Sequence, residues 1–201
     1  LAETAYHIVR RAKMQTLAAL GHSQNIPEEE KKEWLTQHGF QTTAVLWQGA
    51  CAFCSIGFHL TRSLSTQNYE ADCRLRIQLL TIYGLSLSYL KRFKEANRRF
   101  NEAHALLVSG LNSTDKKQQA KIQLRLAEMA LRQADRAAST ESPGKKDAFA
   151  KDRSRTISAH IDEAWSCLDK AQASMTGTSH SAFWWFRVTL LKLATFATIQ
   201  R

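Results

Sequence analysis

The sequence predicts an all-α protein made of antiparallel helical hairpins, and three observations carry that expectation. Its long segments are filled by Ala, Leu, Lys, Arg, Gln and Glu, the residues that lose least on entering a helix. Only 2 Pro and 8 Gly interrupt 201 residues. Apolar residues recur at helical spacing rather than in the alternation of a half-buried strand. With 44% hydrophobic and 23% charged residues, the chain has the ordinary balance of a globular core and surface.

The elements follow in order. Residues 1–20 read as one helix ended by Gly21. Pro27 and the run Glu28, Glu29, Glu30 start a second, short helix, because Pro suits a first turn and acidic side chains complement the positive end of the helix dipole; it stops near Gly39. From Gln41 to Thr61 there is no Asp, Glu, Lys or Arg. That length meets the criterion for a membrane span, but Gln48, Ser55, His59 and several Thr favour a helix buried on nearly all sides, so no membrane span is expected. Residues 68–91 and 93–109 form a helix pair, and 115–138 another long helix whose apolar stripe, Ile122, Leu126, Met129 and Ala130 widened by Leu124, Ala127 and Leu131, asks for neighbours on both sides. Ser, Pro, Gly and Lys cluster after it, giving an exposed insertion loop over 139–155. A helix resumes near Ile157, and a final apolar helix carries Phe183, Trp184, Trp185 and Phe186, with Arg187 and Lys192 marking it as core rather than span.

One residue contradicts local propensity. Gly84 stands inside a helix, where it costs roughly 1 kcal/mol relative to Ala. The explanation is a second helix pressed against it. Leu80, Tyr83, Gly84 and Leu87, followed by Ala96, Phe100 and Ala103, have the spacing of two helices that meet at small residues. This stretch, about 77–110, resembles a tetratricopeptide repeat, a helix-turn-helix unit of about 34 residues. A second, interrupted unit over about 119–174 has Ala127 in the glycine place and Ala164, Leu168 and Ala171 at the spacing of Ala96, Phe100 and Ala103. Ala127 and Ala164 stand 37 apart against 12 for Gly84 and Ala96, so about 25 residues are inserted. The departures are Leu87 in a usual aromatic place and Val108 in that of the terminal Pro.

The resemblance implies hairpins stacked as a solenoid, one repeat domain over 1–201, with Gly84 and Ala96 at the closest approach and Phe100 filling the gap to the next pair. An irregular helical bundle is the competing architecture. Apolar helices at both ends read as a piece of a larger protein. "RFKEANRRFNEAHALL", "HIDEAWSCLDKA" and "TSHSAFWWFR" also resemble the helical tails of bacterial sirtuin-like defence proteins, which implies the tail of an antiviral effector and carries over no catalytic residue.

The repeat packing implies a concave groove lined by first helices. It assigns Arg74, Gln78, Thr81, Leu85, Ser88 and Tyr89 from one helix, and Lys121, Arg125, Glu128 and Arg132 from the next, to a partner-binding surface. With Lys117 and Arg136 the latter set forms a basic stripe, for which a solvated helix face is the plain reading. Relatives that clamp a peptide's terminal carboxylates use Lys and Asn where this chain has Thr81, Leu85, Leu124 and Glu128. That ligand type is not expected.

Chemistry is sparse. Cys51 and Cys54 form a lone C-x-x-C mid-helix in an uncharged stretch, better read as small buried hydrophobes than as half a zinc site. The seven His are scattered, and phosphate loops and nucleophile elbows are absent from the sequence. No enzyme, cofactor or metal is expected. Four Cys in a chain of this length make no disulfide framework, which points to the cytoplasm. The net charge of +10 points to anionic partners. The expected function is a scaffold or sensor for a protein or acidic peptide, with self-association through the apolar C-terminal helix. The alternative is a nucleic-acid-binding repeat that uses the basic stripe and Lys145, Lys146, Lys151, Arg153 and Arg155, although aromatics do not interleave with these cations.

Overall fold

The computed structural model describes residues 2–21, 28–37, 42–62, 69–110, 115–139 and 148–175. Among the described residues the chain is helical, with no strand: α1 (Ala2–Gly21), α2 (Glu28–Gln37), α3 (Thr43–Arg62), α4 (Tyr69–Tyr89), α5 (Phe93–Gly110), α6 (Lys116–Ser139) and α7 (Ala148–Met175). The final apolar helix, Pro27, Gly39, Lys145 and Lys146 lie outside the described residues. The packing divides into two compact units, Leu1–Asn112 and Ser113–Arg201, where the sequence reading took 1–201 as one domain.

In the first unit α1 packs on α3, α3 on α4, and α4 on α5, with α1 also reaching α4. Gly57 shows why α3 can serve two neighbours: a Cβ there would lie 3.0 Å from Leu79 of α4 and 3.2 Å from Ile8 of α1. Gly49 faces Gln15, so α1 and α3 run antiparallel. Val9, Ala12, Cys54 and Leu79 form the buried centre, with Phe53, Leu75, Ile82 and Tyr83 around it. Burying this apolar surface is the main term that holds three helices of ordinary propensity together.

The hairpin of α4 and α5 is antiparallel, since Gly84 meets Phe100 and Gly110 meets Cys73. A Cβ at Gly84 would stand 2.8–2.9 Å from three carbons of the Phe100 ring, and Phe100 is fully buried. Gly84 thus faces the second helix of its own hairpin, as its sequence setting implies. The atoms nearest to it belong to Phe100 rather than to Ala96: the ring turns inward onto the missing side chain. Ala96 and Ala103 are buried beside it.

The turn between α4 and α5 is a Schellman closure. The Arg92 amide donates to the Leu87 carbonyl at 2.9 Å and the Lys91 amide to that of Ser88 at 3.1 Å, which satisfies carbonyls that a helix end leaves orphaned. Lys91 adopts φ 62° to make it, a left-handed position usually filled by Gly. At the start of α5 Arg92 grips Glu95 with two bonds, 2.7 and 2.6 Å.

In the second unit α6 packs against α7. Asp115 caps α6, its carboxylate accepting from the Gln118 amide at 3.0 Å. Ala120, Ile122, Leu124, Ala127, Met129, Ala130 and Ala134 of α6 are buried, as are Ile161, Ala164, Leu168 and Ala171 of α7. Helix α7 begins at Ala148 rather than near Ile157, so the expected insertion loop is helical from there on. Asp152, Ser154 and Arg155 are exposed on it.

Helix α3 corrects a second expectation. Only 28% of Thr43–Thr61 is buried, not nearly all of it. Leu46, Trp47, Ala50, Cys54, Gly57 and Thr61 make its packed face; Val45, Gln48, Ala52, Ile56 and His59 make a solvent-facing one. By length and composition alone α3 could cross a membrane, but one face is committed to α1 and α4.

Candidate interaction surfaces

The residues assigned to a groove on α4 do not share one environment. Arg74 is exposed and its guanidinium bonds Glu70 at 2.8 and 3.1 Å. Gln78 is exposed. Thr81 is half-buried and its hydroxyl donates back to the Ile77 carbonyl at 2.7 Å. Leu85 and Ser88 are buried, at 4% and 1% exposure, so neither presents a surface. Ser88 satisfies its hydroxyl on the Leu85 carbonyl, and Tyr89 stacks on Trp47 of α3, ring centres 4.1 Å apart and nearly parallel. The open part of this face is its first half. The rest is core, because α4 is the helix against which α1, α3 and α5 all pack.

The α6 set belongs to the second unit. Lys117, Lys121 and Arg136 are exposed, and Arg125 and Arg132 are half-buried. Arg125 donates to Glu128 at 2.6 Å, the two side chains being 23% and 13% exposed. A guanidinium held this closely by a carboxylate is partly neutralised. Within the largely basic stripe, Arg125 and Glu128 therefore form an ion pair, with exposed Lys117, Lys121 and Arg136 along the same helix.

Sequence reasoning missed Arg99. From α5 it lies over the Tyr83 ring at 4.9 Å and near Phe58 at 6.0 Å, so it reaches aromatic rings of α4 and α3. Glu102 anchors it at 2.8 Å. Nothing in "NRRFNE" separates Arg99 from its exposed neighbour Arg98; only the third helix does.

Burial disfavours the thiolate form of both cysteines of the C-x-x-C pair. Burial pushes the Cys51 thiol up to about 11, with nearby Arg92 opposing the shift only in part. Cys54 is raised further by burial and by Cys51. Nucleophiles and metal ligands need thiolate, and at neutral pH both are thiols. Among the described residues no three His, Cys, Asp or Glu side chains converge as a metal site.

The surface that stands out is the outer side of α1 and α3. Met14 and Leu17 of α1 are 61% and 52% exposed, Val45 and Ile56 of α3 39% and 51%. Beside them on α1 stand exposed Arg10, Arg11 and Lys13. The signal was present in the sequence, since positions 45, 48, 52, 56 and 59 form one helical stripe. Apolar content alone hid it, because an uncharged helix reads as buried.

No protein-family model, curated protein or solved structure matches this chain.

Proposed function

We propose that this chain is a helical-repeat interaction module, a scaffold or sensor that holds a protein or acidic peptide and carries out no chemistry itself. The observation that supports it best is that two helix pairs bury the same pattern. Gly84, Ala96, Phe100 and Ala103 are buried in one, and Ala127, Ala164, Leu168 and Ala171 in the other. Units that repeat one packing rule are the material of tetratricopeptide-like solenoids, whose surfaces bind partners. The protonated thiols agree with a non-catalytic role. The likeness to the tails of sirtuin-like defence proteins gives such a module a setting, as the tail of a cytoplasmic effector.

In the second unit partner contact falls to exposed Lys121, with Arg125, Glu128 and Arg132 as a preset pair and neighbour; Arg74 and Gln78 are the exposed candidates of the first unit. The test is affinity capture of a partner by the native full-length protein, comparing wild type with Lys121→Glu/Arg125→Glu/Arg132→Glu. Loss of a specific protein with helical circular dichroism retained supports the reading. Unchanged capture moves the contact elsewhere. Random single-stranded DNA bound with steep salt dependence, and no protein captured, would favour nucleic acid instead.

A further inference from the structure

We propose that the outer face of α1 and α3 docks on an anionic lipid surface, lying on it without crossing. Four large apolar side chains, Met14, Leu17, Val45 and Ile56, are between 39% and 61% exposed. They stand out from packed helices. The exposed stripe of α3 carries no Asp, Glu, Lys or Arg, and on α1 the exposed charges beside the apolar residues are Arg10, Arg11 and Lys13. Apolar tips framed by cations are what an anionic interface accepts: the tips enter the acyl boundary while the cations stay at headgroup depth.

The same structure argues against insertion. Leu46, Trp47, Ala50, Cys54 and Gly57 are committed to the core, and a spanning α3 would have to give up that packing. Helices α1 and α3 pack on each other and both turn buried residues, Val9, Ala12 and Cys54, toward Leu79 of α4, so the faces they turn away from α4 form a joint surface. Charge complementarity selects the lipid: cations spaced along a helix suit a diffuse layer of headgroup charge.

Co-flotation of the 201-residue chain with vesicles tests this. Vesicles of phosphatidylcholine alone are compared with vesicles holding about 30 mol % phosphatidylserine, whose surface attracts each basic residue by roughly fivefold in partitioning. Binding to the anionic vesicles alone is expected. Arg10→Glu/Arg11→Glu/Lys13→Glu should lower it on the order of a hundredfold or more, and Leu17→Gln/Ile56→Gln by about tenfold. Lys116→Glu/Lys117→Glu/Arg136→Glu changes net charge equally on exposed positions of α6 and should lower it far less. If Ile56→Gln loses helical circular dichroism, Met14→Gln/Leu17→Gln replaces it, Met14 being the most exposed of the four. Equal loss from the two charge reversals, indifference to the apolar substitutions, or no vesicle binding each overturns the proposal. So does indifference to vesicles with tight binding of a synthetic amphipathic helix bearing Leu on one face and Glu on the other, which assigns the face to a protein partner. The outcome is independent of partner capture through α6, so either reading can fail alone.

Discussion

The α4–α5 and α6–α7 pairs bury different residues at the positions that the proposed repeat alignment equates. In the first, Gly84 gives up its side chain and Phe100 fills the space, the ring lying within 2.9 Å of where a Cβ would be. In the second, Ala127 stands in the glycine's place and Leu168 in that of the ring, both fully buried. A methyl gained on one helix is matched by a smaller apolar group on the other. On the proposed repeat alignment the two pairs share summed volume rather than residue identity, consistent with cores that tolerate exchange when volume is kept.

That comparison can be broken at its centre. Phe100→Ala should be the costliest change, about 3–5 kcal/mol, because it removes a fully buried ring and leaves a cavity. Leu168→Ala should cost about 2–5 kcal/mol for the same reason with a smaller side chain. Urea unfolding followed by circular dichroism measures both. Gly84→Leu should cost about 1–3 kcal/mol by overpacking, despite a gain of about 1 kcal/mol in helix propensity. An unchanged or higher midpoint for that variant would mean that α5 does not sit where Phe100 places it.

The ends of the pairs sharpen the contrast by smaller amounts. Asp115→Ala removes the carboxylate that accepts from the Gln118 amide and should lower stability by about 1 kcal/mol. Lys91→Gly should act in the other direction. Lys91 holds φ 62° at the place where Gly is strain-free, so the substitution should add up to about 1 kcal/mol, read as a higher midpoint in the same titration.

The parts of the fold legible in the sequence were those in which one helix reports on itself. Gly84 announced a close neighbour because nothing local explains it, and Ala96, Phe100 and Ala103 gave the period. The parts that were hidden depend on a third helix. Leu85, Ser88 and Tyr89 share a helical face with Arg74 and Gln78, yet α4 is packed by several elements and Trp47 covers Tyr89. Val45 and Ile56 lie in an uncharged run that reads as core, and only the packing of α1 and α4 on the opposite side leaves them outside. Nothing in the local sequence marks Arg99 as the cation that lies against Tyr83 and Phe58. The α7 start at Ala148 was missed because Ser, Pro, Gly and Lys upstream suggested a longer loop.

The proposed alignment makes paired volume at a small-residue meeting point the rule for each helix pair, and a double-mutant cycle on Gly84→Ala and Phe100→Leu separates coupled from independent packing. Each single change should destabilise: the first crowds the ring and the second leaves it short of volume. Together they recreate the Ala127 and Leu168 combination. The double variant should recover at least about 1 kcal/mol relative to the sum of the singles, a coupling typical of residues in contact. Additive losses would show that Gly84 and Phe100 do not share a packing site and would contradict the repeat reading built on them.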